Sequence, residues 1–177
     1  MDHVALLFGV NVGGVRVAMA DLRALAEGLG WRNPRTYIAS GNLLFSAEGA
    51  PADLARALEA ALQQHYGRAI GVIVATAADI HAALAACPFA PEAGKHVHAF
   101  FLTAPTRIDA ALYESLRTPE ETLVLQDHLA WLHAPAGVGR SKLAEKLHKV
   151  IPGTGMTGRN LNTLHALAEM LDAEGPG

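Results

Sequence analysis

From Val4 to Val10 the chain is apolar on both alternating faces. A strand with no polar face must be covered on both sides, so this run predicts a central strand inside a layered fold. Seven residues are short for a buried helix, and the glycines just beyond stop any helix at once. The run ends in Asn11-Val12-Gly13-Gly14. Gly13 and Gly14 permit positive φ and a close approach of backbone amides. Asn11 tolerates the left-handed region and can bond the backbone two residues on. Arg16 follows, and consecutive amides beside an arginine could cradle an anion. The alternative is a tight strand-to-helix connection that needs glycine only for its shape.

The rest of the first half repeats a simple alternation. Met19, Leu22, Leu25 and Leu29 share one helical face, and Gly30 is placed to end that helix. Arg35 to Ala39 reads as a strand, Ser40-Gly41-Asn42 as a turn, and Leu43 to Ser46 as the returning strand of a hairpin. Pro51 suits the first turn of a helix, and Asp53 favours its N-terminal dipole. Leu54, Leu58 and Leu62 recur on that helix before Gly67 closes it. Ile70 to Thr76 is a further β-branched strand. Strand, helix, strand, strand, helix, strand is the split βαβ order of ferredoxin-like folds.

Thr76 and Asp79 form a capping signature before a helix carrying Ile80, Leu84 and Cys87. Pro88 to Gly94 is a linker. The second half then runs through a strand from His96 to Thr103 and a helix opened by Thr106 and Asp109. A hairpin around Asp127-His128 follows, then a helix capped by Ser141. A short strand at Thr154–Thr157 and a last helix capped by Asn160 complete it. The order matches the first half with one helix added. The expected fold is therefore α+β: two ferredoxin-like subdomains, antiparallel sheets with helices on one face, and an extra C-terminal helix. Residues 1–76 make the first half, 77–95 the connection, and 96–177 the second half.

Two basic turns stand before helices. In Gly137-Val138-Gly139-Arg140-Ser141-Lys142, Arg140 and Lys142 oppose the helix dipole, which costs roughly 0.3–1 kcal/mol each when exposed. An anion shared by these side chains and the first-turn amides would offset that cost; two solvated surface charges are the other reading. The segment imitates a phosphate-binding P-loop, but Ala134 stands at the first glycine position and Arg140 at the lysine position. Thr157-Gly158-Arg159-Asn160 is the second turn. Arg159 could grip a carboxylate or phosphate through two parallel bonds, or Thr157 and Asn160 could simply cap while Arg159 pairs with a surface acid. Should the turns meet, Arg140, Lys142 and Arg159 would line one positive hollow. His96 and His98 are spaced to share a strand face, but no further ligand supports a metal site. No catalytic triad or carboxylate pair is assignable.

Three segments carry a resemblance. Leu7-Phe8-Gly9-Val10-Asn11-Val12-Gly13-Gly14, Arg35-Thr36-Tyr37-Ile38-Ala39-Ser40-Gly41-Asn42, and Gly139-Arg140-Ser141-Lys142-Leu143 with Thr157-Gly158-Arg159-Asn160-Leu161-Asn162-Thr163 resemble the bacterial domain-of-unknown-function family 1697. The resemblance implies two ferredoxin-like halves packed together and no established activity. Phe8 stands where the family usually has Arg, Ala39 where it has Gln, and Leu161 where it has Trp. The first two departures remove polar groups near the expected site.

Composition narrows the function classes. Of 177 residues, 51% are hydrophobic and 18% charged, as in a globular chain. A formal net charge of −3 argues against broad binding to nucleic-acid backbone or anionic membrane. No apolar run reaches the about 20 residues a membrane helix needs. Met1-Asp2-His3 lacks the basic start of a signal peptide, which predicts a cytoplasmic protein. Cys87 is the single cysteine, so no internal disulfide forms. The expected function is binding, with turnover left open, of a small anionic or phosphorylated ligand. Its site would use Asn11, Gly13, Gly14, Arg16, Ser40, Gly41, Asn42, Arg140, Ser141, Lys142, Thr157, Arg159 and Asn160. A nucleic-acid-binding module of the same fold and a non-catalytic interaction protein are the alternatives. The residues name no reaction, cofactor or oligomeric state.

Overall fold

The computed structural model describes residues 1–11 and 14–173. The chain divides into two compact units: Met1–Ala82 with the chain from Ala166 onward, and Ala83–His165. Each unit holds one four-stranded sheet, and every strand pairing is antiparallel.

The first unit runs β1 (Asp2–Leu7), α1 (Met19–Gly28), β2 (Arg32–Thr36), β3 (Asn42–Ser46), α2 (Pro51–Tyr66) and β4 (Val72–Thr76), with sheet order β2-β3-β1-β4. This is the split βαβ order. As the apolar run demands, β1 is central and buried from His3 to Leu7. On one face Ala5, Leu7, Leu43, Phe45, Val72 and Val74 pack against Leu22 and Ala26 of α1 and Leu54, Leu58 and Leu62 of α2. Trp31 stacks on Phe45 with ring centroids 3.9 Å apart. Pro51 begins α2, and Gly67 ends it in the left-handed region at φ 70°.

The chain continues through α3 (Ala77–Ala86), β5 (Val97–Leu102), α4 (Ala110–Leu116), β6 (Thr122–Gln126), β7 (Leu129–His133), α5 (Lys142–Glu145), α6 (Leu147–Val150), β8 (Met156–Asn160) and α7 (Leu161–Asp172). The second sheet has order β6-β7-β5-β8, the same connectivity. Leu102, Leu123, Ala130 and Leu132 on one face meet Leu143, Leu147, Val150 and Ile151. The Thr76–Asp79 capping box forms as expected: the Thr76 and Asp79 amides bond reciprocally to the Asp79 carboxylate and the Thr76 hydroxyl at 2.8 and 3.1 Å. Among the described residues, no helix is long and apolar enough to cross a membrane.

Four local expectations need correction. The strand expected at Arg35–Ala39 is Arg32–Thr36, because the chain turns at Ile38, whose φ is 47°. The Asn42 amide holds that turn through the Tyr37 carbonyl at 3.1 Å and the Ser40 hydroxyl at 2.8 Å. Asp109, and not Thr106, caps α4, accepting from the Leu112 amide at 3.0 Å. The helix after Ser141 is two four-residue helices interrupted at Lys146, where φ is −106° and ψ is 18°. The last strand is Met156–Asn160 and not Thr154–Thr157, so the second basic turn is strand.

Candidate functional site

The second unit contains an open cleft of about 590 Å³. Its floor is sheet: His98 and Phe100 from β5 and Gly158 from β8. Its wall is Val138–Lys142 with Ala144 and Glu145. Side chains alternate along a strand, and residues paired across strands share a face. Phe100 pairs with Gly158 and His98 with Asn160, so these point one way, while Ala99 and its partner Arg159 point the other.

Gly158 is what allows the floor to be flat. A Cβ there would lie 2.6 Å from Phe100 Cε1, so the Phe100 ring lies across the strand where a side chain would stand. The His98 and Phe100 rings stack with centroids 6.2 Å apart and planes at 28°. Burial lowers the His98 pKa below its ordinary value of 6.5, so the ring is neutral at neutral pH. Its Nδ1 is sealed without a hydrogen-bond partner among the described residues; Nε2 is not sealed. An unmet buried N–H is costlier than an unmet lone pair. The proton therefore belongs on Nε2. Arg140 and Lys142 are exposed on the wall, so the lining brings two cations and a neutral imidazole against one carboxylate, that of Glu145.

The wall is not a helix-terminus site. The helix that Ser141 caps has only four residues, too few to build a macrodipole of useful size. The buried Ser141 hydroxyl accepts from the Ala144 amide at 3.0 Å. Whatever Arg140 and Lys142 attract, they attract as side chains.

Among the described residues, none of the other expected site residues lines this cleft. In the first unit the turns around Asn11 and Gly41 do come together. The Leu7 amide donates to the Gly41 carbonyl at 2.9 Å, and a Cβ on Gly41 would sit 2.6 Å from Val10 Cγ2. Several of their polar groups are engaged within the chain. The Asn11 side-chain amide donates to the Val17 carbonyl and its oxygen accepts from the Val17 amide, both at 2.9 Å, closing the loop like a clasp. Gly14 packs so closely that a Cβ would lie 2.5 Å from the Gly9 carbonyl oxygen. Gly13 lies outside the described residues. Arg16 is exposed, Ser40 half-buried and Asn42 fully buried.

In the second unit the hollow expected from Arg140, Lys142 and Arg159 together is not formed. Thr157 and Arg159 are buried on the sheet face away from the cleft. Arg159 Nη1 donates to the Thr157 hydroxyl at 2.7 Å and the Gly158 carbonyl at 2.9 Å, and burial pushes its pKa down to about 10. Asn160 Oδ1 accepts from the Thr163 amide at 2.8 Å and caps α7. His96 ends a 3-10 turn before β5, so it does not share a strand face with His98. No group of three or more His, Cys, Asp or Glu residues suited to a metal ion occurs among the described residues. The cleft floor was absent from the sequence reading. Its one signal was a glycine inside what proved to be a strand, a mark of close approach.

A family model described as "Protein of unknown function (DUF1697)" matches residues 1–131, and the chain belongs to that family. A solved structure, a conserved bacterial protein from Streptococcus pneumoniae, is similar at 26% identity with a TM-score of 0.71, over 96% of this chain and 97% of that one. No curated protein matches the chain.

Proposed function

We propose that this member of a family without an established activity binds a small anionic ligand in the second unit's cleft. The observation that carries the reading is the lining: Arg140, Lys142 and His98 border one space, with Glu145 as the one carboxylate among the lining residues. Opposite unit charges 4 Å apart attract by about 1 kcal/mol in water and about 4 kcal/mol near a protein surface. Exposed contacts of this kind keep only about 0–1 kcal/mol each after solvent screening, so binding through them is weak and salt-dependent. The same lining supports a phosphate or a carboxylate, and no bond-breaking step follows from it.

Thermal melting of the full chain in low salt with pyrophosphate tests this. A ligand at a hundred times its dissociation constant adds about 2.7 kcal/mol, a shift of several degrees for a protein of this size. The double variant Arg140→Ala/Lys142→Ala should melt within about 0.5 kcal/mol of the wild type without ligand and lose the shift. A pyrophosphate shift that survives in the double variant, or none in the wild type, overturns the reading.

A further inference from the structure

We infer that the ligand's anionic group is a phosphate joined to a flat heteroaromatic ring, as in a nucleoside monophosphate; this rests on the anion reading above. The two sheets differ at matching positions. Ala5 pairs with Val74 in the first, and Phe100 with Gly158 in the second. The first arrangement fills the space under a helix. The second moves the bulk onto one strand and deletes it from the other, laying a ring flat against backbone. A core that needed only filling could use the first arrangement again. What the second adds is a half-buried aromatic surface at the bottom of a cleft.

Size and placement point the same way. About 590 Å³ falls within the roughly 300–1,000 Å³ of small-molecule sites. A bare phosphate would leave most of it empty. Arg140 and Lys142 stand on the wall, while the His98 and Phe100 rings lie on the floor. A ligand with a charged end and a flat end would meet both at once. Aromatic side chains bind bases through their π-faces with little regard to which base is present, so the site is expected to recognise a ring class and not one base.

Calorimetry on the full chain separates the parts. The probes are inorganic phosphate, ribose 5-phosphate, AMP, UMP and adenosine. Expected is AMP and UMP binding roughly ten- to hundred-fold more tightly than ribose 5-phosphate, the span that one stacked base supplies. Phe100→Leu should bring AMP down to the level of ribose 5-phosphate and leave ribose 5-phosphate unchanged. Phe100→Tyr should restore the difference, showing that loss in the leucine variant is not misfolding. If ribose 5-phosphate binds and AMP binds no better, the ring inference is overturned while the anion reading stands. An AMP advantage that survives Phe100→Leu also overturns it. If no phosphorylated probe binds, the anion reading falls and takes this inference with it.

Discussion

The two units share one connectivity but fill the slot between their third and fourth strands differently. In the first, α2 runs unbroken for sixteen residues and buries Leu54, Leu58 and Leu62 over Val72 and Val74. Its sequence is rich in alanine, leucine and other strong helix formers, with leucines every four residues. In the second, Gly137 at φ 97° and a 3-10 turn over Val138–Arg140 take up the entry. Two four-residue helices then do the covering. Leu143, Leu147 and Val150 still anchor the core, but the strand floor beside the entry stays open. One connectivity therefore covers the sheet where the crossover is a long helix and leaves strand residues at the bottom of a cleft where it is a broken one. The histidines mark the contrast. His3 and His98 hold equivalent places on β1 and β5; His3 is fully buried against Phe45, whereas His98 lines the cleft.

The largest effect should come from Arg159, whose counterpart in the first unit is Ala75, judged from the pairings Val4–Ala75 and Ala99–Arg159. Arg159→Ala removes buried charge-assisted hydrogen bonds, so urea denaturation should show at least about 1.5–3 kcal/mol lost. Anion affinity should not change, because Arg159 faces away from the cleft. A weakened affinity at unchanged stability would break the assignment of faces.

Next comes the swap of floors. Gly158→Val forces a side chain into the Phe100 ring and should cost about 1–3 kcal/mol. Phe100→Ala/Gly158→Val rebuilds the first unit's arrangement and should be less destabilised than the two single changes added, by about 0.5–3 kcal/mol. Additive losses would mean that the two positions do not compete for one space.

The smallest effect is in pH dependence. Burial lowers the pKa of His3, as it does for His98. Above the unfolded value near 6.5 both the folded and unfolded chains carry these rings neutral, and the stability is fully present. As pH falls from there toward the folded pKa, the unfolded chain takes up the proton first and stability declines, by at most about 1.4 kcal/mol per pH unit per histidine. His3→Phe, which keeps a ring on Phe45, should flatten the loss of stability below pH 6.5. An unaltered slope would show that His3 is not held neutral.

What was legible in the sequence was local. Period-four leucines gave α2, Pro51 and Gly67 marked its ends, and Ser141, Asn160 and the Thr76–Asp79 box cap where their types say they should. What was not legible depends on partners distant in the chain. Thr157-Gly158-Arg159-Asn160 has the composition of a turn, and only the ring of Phe100 explains why Gly158 sits in a strand. Arg159 reads as a surface cation until strand alternation sends it into a buried face. Glycines at 14 and 41 suggested amides held out to a ligand; that they are also close-packing points against Gly9 and Val10 was not visible. The wall of the cleft was thus visible as a basic glycine-bearing segment, and its floor was not.

Amide chemical shifts of the isotope-labelled full chain, followed while pyrophosphate is titrated in, test the location of the site most directly. The account predicts that the largest saturable shifts fall on Val138–Lys142, with Phe100 and Gly158 next, while Gly14 and Gly41 barely move. Shifts centred on Gly14 and Gly41, with the residues of the cleft silent, would contradict it.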